Sequence, residues 1–206
     1  MIKVIHYQNE ASDKTFENDI SRYYDEVRSM FLILPETINI YFSNRNILAE
    51  TGVGGHAHNF EIITISIDPA FKNKQKQAND VRATIFHEAF HIYQNFTYEG
   101  PLYSAIESAI YEGTATVFER QYAGVMQPYG DWHTTKMAKL KQWTKLLSNI
   151  SVEDYEKDWQ QWKFFHEDFQ EQWISYKVGA YIVDEVLRRY ALDIIELRNK
   201  TAKEVL

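Results

Sequence analysis

The spacing of apolar residues changes several times along the first eighty positions. Residues 2–7 alternate as a short strand does. From about residue 13 to 32, Phe16, Ile20, Tyr23, Val27 and Phe31 recur at three- and four-residue spacing, the stripe of an amphipathic helix. Pro35 ends that stretch, and Ile38-Asn39-Ile40-Tyr41-Phe42 predicts a second strand from its β-branched and aromatic residues. Gly52-Val53-Gly54-Gly55 predicts a flexible turn. Residues 60–67, alternating around Ile63, Ile65 and Ile67, predict the strongest strand, closed by Asp68-Pro69.

After Asp80 every pattern is helical. Asn79 or Asp80 suits the N-cap of a helix running to about residue 95. Gly100-Pro101 breaks the chain, and a second helix is expected over about 102–122. Beyond Gly124 and the Pro128/Gly130 loop, further helices are expected over about 133–147, 152–169 and 173–191, followed by a charged tail. Neither a repeat nor a linker interrupts the chain. The expectation is one α+β domain over 1–206: a small N-terminal mixed sheet (about 1–80) packed on a helix, then a mostly helical half (about 81–206).

Composition narrows the function classes. A formal net charge of −7 argues against nucleic acid as a partner, since phosphate binding needs a concentrated Lys/Arg surface. The short basic cluster at residues 72–76 is expected to be a solvated loop. With no cysteine in the chain, disulfides and cysteine-based metal sites or nucleophiles are excluded. Residues 1–7 lack the continuous apolar core of a signal peptide, and Asn9, Glu10 and Asp13 follow at once. No apolar run reaches the ~18 residues of a membrane span. A cytoplasmic protein with no membrane partner is the expectation.

One segment carries chemistry. His87-Glu88-Ala89-Phe90-His91 lies inside an expected helix. Positions i and i+4 are about 40° apart around a helix axis, so both imidazoles can reach one Zn²⁺ at ~2.0–2.1 Å. Glu88, beside them, is placed to take a proton from water and pass it to a leaving amine. Chance yields such a motif in a chain this long on the order of one time in a hundred. The flanks speak against chance: Ile85, Phe86, Ala89, Phe90, Ile92 and Tyr93 make the helix apolar on nearly every side. Two histidines and a glutamate buried there need partners. A catalytic zinc also needs a third protein ligand. The metzincin pattern would require Gly at position 94 and His at position 97, where Gln94 and Thr97 stand. A carboxylate from the next helix is the alternative. Glu112, beside the small residues Gly113 and Ala115, and Glu107, beside Ser108 and Ala109, both qualify by spacing.

His87-Glu88-x-x-His91 followed by Glu112-Gly113-Thr114-Ala115 resembles the gluzincin pattern. More narrowly, the chain resembles a family of predicted zinc-dependent proteases first catalogued as a domain of unknown function. The likeness spans about 52–183 and includes Ile67-Asp68-Pro69, Phe86 to His91, Tyr111 to Ala115 and Tyr176 to Val183. It implies a zincin-like fold with the sheet packed on an active-site helix, His87, His91 and Glu112 as ligands of one zinc per chain, Glu88 as general base, and a peptide or protein substrate. Tyr176 is a second catalytic candidate, since a phenol can stabilise the oxyanion formed as water attacks a carbonyl. His56 and His58 belong to a loop that can border the site, and His133 and His166 are expected to face solvent or pack. A zinc-bound binding module without catalysis, or a helical domain without metal, are the competing readings. Glu88 favours the enzyme, because a binding module has no use for it.

Overall fold

The α1 helix, Lys14–Met30, forms where the stripe was expected, with one change of position. Ile20, Tyr24, Val27 and Phe31 are buried, whereas Tyr23 is half-buried, with Arg22 5.3 Å over its ring. The steps 20, 24, 27 and 31 keep one helix face, and Tyr24 completes it by donating its hydroxyl to the Pro35 carbonyl at 2.5 Å. This computed structural model describes residues 2–6, 14–59, 62–94 and 104–206. The expectations on Tyr7, Asp13, Phe60, Asn95, Gly100-Pro101 and Leu102 lie outside them. The chain divides into two compact units, Met1–Tyr98 with Glu119–Val125 and Glu99–Phe118 with Met126–Leu206.

The first unit holds β1 (Ile2–His6), α1, β2 (Ile38–Phe42), β3 (Val53–Asn59), β4 (Ile62–Ile67) and α2 (Lys74–Tyr93). Its mixed sheet has the order β1-β2-β4-β3, with β1, β2 and β4 parallel and β3 antiparallel at the edge. Ile38, Ile40 and Phe42 pair with Ile63, Ile65 and Ile67, and all six are buried. The period-two alternation thus supplies the apolar face of the sheet.

Two expectations change here. Residues 53–59 are a strand, and the turn precedes them over 49–52, ending at Gly52, where φ is +66°. The glycines serve close approach: a Cβ on Gly55 would lie 2.5 Å from Thr84 Cγ2 and 2.6 Å from Glu88 Oε1. Second, α2 starts at Lys74, because Asn73 Oδ1 caps it by accepting from the Lys76 amide at 3.0 Å. Lys74 and Lys76 of the basic cluster are therefore helical, and Asp80 is a buried partner of Lys76. The buried Gln77 donates to the Gly52 carbonyl at 3.1 Å and the Asp68 carbonyl at 2.7 Å, tying α2 to the ends of β3 and β4.

In the second unit, α3 (Ala105–Phe118) opens with a capping box in which Ser104 Oγ and the Ser104 amide both donate to Glu107 Oε2 at 2.9 Å. The chain of α3 continues directly into a π-helical turn, Glu119–Ala123, of the first unit. Beyond lie α4 (Met137–Asn149), α5 (Val152–Lys163), a short hairpin of β5 (Phe165–His166) and β6 (Glu171–Gln172), α6 (Ile174–Tyr190) and α7 (Ala202–Val205). The helix expected over 152–169 thus stops at Lys163. His166 turns inward between Trp162 and Phe169, with ring centroids 4.5 Å from each, and the Trp173 amide donates back to the Phe164 carbonyl at 2.9 Å. The tail is ordered by capping boxes at Asp193/Glu196 and Thr201/Glu204. The α+β reading with a helical C-terminal half holds. Among the described residues no helix is long and apolar enough to cross a membrane.

The α3 and α6 helices meet backbone to backbone. A Cβ on Gly179 would overlap the Ala109 carbonyl and lie 3.0 Å from Gly113 Cα, and one on Gly113 would overlap the Gly179 backbone. Since backbone cannot swing aside, Gly179→Ala is expected to destabilise the protein by about 1–3 kcal/mol. The check is the midpoint of urea unfolding, which an ordinary helical glycine would raise on becoming alanine.

Candidate metal centre

Residues 85–92 of α2 are buried without exception. His87, Glu88 and His91 are only 5%, 8% and 5% exposed. One helical turn separates the two histidines, and their Nε2 atoms lie 3.0 Å apart. That is close to the separation of ~3.3 Å between two ligands of a tetrahedral zinc with bonds of ~2.0–2.1 Å.

The outer nitrogens are also engaged. His87 Nδ1 donates to Glu119 Oε2 at 3.1 Å, and Glu119 is fully buried. A carboxylate accepts only, so the proton sits on Nδ1 and Nε2 keeps its lone pair for a metal. The Gln94 side-chain amide lies 3.3 Å from His91 Nδ1. Arg82 fastens the far end of the π-helical turn, donating to the Tyr122 carbonyl at 3.2 Å and to that of Ala123, while it pairs with Glu26 at 2.6 Å. A π-helical turn takes an extra residue per ring and so re-aims the side chains it carries, here Glu119. Sequence reasoning missed Glu119; its signal is its place seven residues, about two helical turns, after Glu112.

On α3, Glu112 is 3% exposed, and its Oε1 accepts from Lys163 Nζ at 2.6 Å. Glu107, the alternative by spacing, is occupied in the cap with Ser104. One ligand atom each of His87, His91 and Glu112 lie within 4.8 Å of one another, and all three residues are buried. Among the described residues no other group of three or more His, Asp or Glu side chains meets this condition. Two imidazoles and a carboxylate suit zinc, which takes nitrogen and oxygen donors at short distance.

The other candidates lie as follows. His56 and His58 sit exposed on β3, not in a loop, with ring centroids 4.2 Å apart. Tyr176 is half-buried on α6, its ring 5.1 Å from that of Tyr129. His133 is exposed and stacks on Trp132 at 3.9 Å, and His166 is buried, its pKa held below the ordinary value mainly by that burial.

The site is thus the His₂Glu donor set of a candidate metal centre, on an α+β scaffold. A family model described as "Predicted Zn-dependent protease (DUF2268)" matches residues 14–206, and the chain belongs to that family. No curated protein and no solved structure matches the chain.

Glu119→Ala removes the acceptor that orients His87. Zinc affinity is expected to fall about 10–100-fold. Competition with a chromophoric chelator measures it, and an unchanged affinity would show that His87 needs no such orientation.

Proposed function

We propose that this protein is a zinc-dependent peptidase of the gluzincin type, in which His87, His91 and Glu112 hold one Zn²⁺ and Glu88 is the general base. The carrying observation is the buried grouping of two imidazoles and a carboxylate, with Glu88 in the same helix as the histidines. When bound, the metal supplies a Lewis acid that acidifies water and polarises a carbonyl.

The protein's own groups do the rest. Glu88 accepts the proton of the attacking water and delivers it to the leaving amine. Its near-complete burial keeps bulk solvent from this carboxylate, while the missing side chain at Gly55 leaves its oxygen room. Glu119 and Gln94 hold the two rings from behind. Tyr176 is the proposed donor to the developing oxyanion. It precedes by three positions the Gly179 that packs on Gly113, the neighbour of Glu112.

A peptide or protein is the proposed substrate class. Support comes from β3, the edge strand of the sheet, whose backbone runs against Glu88 through Gly55. An edge strand can take an extended peptide as an added strand. With a net charge of −7, nucleic acid is not among the proposed ligands.

Glu88→Gln is expected to keep about one zinc per chain by metal analysis while hydrolysis of a peptide library falls about 100-fold or more. Zinc-loaded wild type that cleaves no peptide would make the protein a non-catalytic metal module. Tyr176→Phe is expected to lower kcat about 100-fold with little change in KM. A loss confined to KM would remove the oxyanion role.

A further inference from the structure

Lys163 ends α5, within the sequence Trp162-Lys163-Phe164-Phe165, yet its side chain is only 4% exposed. Lysine is almost never this buried without a partner, because removing an ammonium from water costs several kcal/mol. An apolar residue among those aromatics would avoid the cost. The ammonium instead lies 2.6 Å from Glu112 Oε1, whose carboxylate is equally buried. Its place is fixed by backbone on both sides: the Phe164 amide donates to the Gln160 carbonyl at 2.8 Å, and the Trp173 amide to the Phe164 carbonyl at 2.9 Å.

We infer that Lys163 is a positioning residue of the metal centre, one that occupies a single oxygen of Glu112 and leaves the other to the zinc. This rests on Glu112 being the third ligand. The residue type matters. An ammonium is a point charge that engages one oxygen, whereas the planar fork of arginine takes both oxygens of a carboxylate. Lys163 therefore stabilises the buried Glu112 charge before metal arrives and sets it as a one-oxygen ligand. The acceptor that Glu119 provides for His87 has its counterpart here, with a donor serving the carboxylate ligand.

The test is zinc affinity of the purified full chain, by chelator competition, for wild type and Lys163→Met, with thermal unfolding of both with and without zinc. Lys163→Met is expected to bind zinc at least about tenfold more weakly and to lose melting temperature in the metal-free protein. A purely structural lysine would lower the melting temperature yet leave zinc affinity unchanged. Affinity within twofold of wild type, or tighter, overturns the inference. Should Lys163→Met not fold, Lys163→Arg carries the test, since it keeps the buried ion pair but claims both oxygens. Zinc affinity is expected to fall about tenfold there too, and wild-type affinity in that variant overturns the inference. Wild type that binds no zinc in the same titration refutes the metal centre itself, a separate result.

Discussion

The constraint on which the candidate site depends is the complete burial of α2 around its polar residues. Eight consecutive residues, 85–92, have no solvated face, and three of them are His87, Glu88 and His91. An apolar helix enclosed in this way would cost nothing further. One carrying two imidazoles and a carboxylate is tolerated only if each polar atom is given a partner, at a penalty of about 1–3 kcal/mol for each left without one. Much of the first unit serves this need. Gly55 lacks a side chain where Glu88 requires room, Gln77 anchors the helix to both ends of the β3–β4 pair, and Glu119 reaches His87 from a π-helical turn that Arg82 secures.

The second unit treats Glu112 in a similar way. It stands on α3, a helix buried along most of its length, beside Gly113, where α6 comes close enough to exclude any side chain. Backbone contact of this kind leaves little freedom in the position of the neighbouring carboxylate, because main-chain atoms cannot change rotamer. Lys163 then fixes one of its oxygens. Each of the three grouped donors is thus backed by a second group: a carboxylate for His87, an amide for His91 and an ammonium for Glu112. Such outer partners set the orientation and basicity of a metal's ligands.

Several features that looked like ordinary local structure acquire a purpose only with their neighbours in place. Gly54 and Gly55 have the composition of a turn, yet they form part of an edge strand, because a glycine satisfies a tight helix-to-strand approach as well as it satisfies a turn. The aromatic stretch after Lys163 keeps helical periodicity but folds into a hairpin, since burying His166 between Trp162 and Phe169 outweighs continuing the helix. Local capping was more legible than its use suggested. Ser104-x-x-Glu107, Asp193-x-x-Glu196 and Thr201-x-x-Glu204 are all boxes readable in the chain, and the first of them explains why Glu107 caps α3.

By itself the sequence determined the helix bearing His87, Glu88 and His91, its burial, the strands around Ile40 and Ile65, and membership of a family of predicted zinc-dependent proteases. The helix and strands follow from short-range periodicity and from one motif whose spacing is close to a helical turn, which is information carried between near neighbours; family membership rests on the likeness of several separate motifs, among them 86–91, 111–115 and 176–183. Tertiary structure decided what spacing along the chain cannot encode. It put Glu107 in the cap of α3 with Ser104 and grouped a carboxylate oxygen of Glu112 with the rings of His87 and His91. It brought Glu119, thirty-two residues away, to the far side of the His87 ring, and placed Lys163 against Glu112 across fifty-one residues. No pattern announces such pairs, since their partners meet only after the helices have packed.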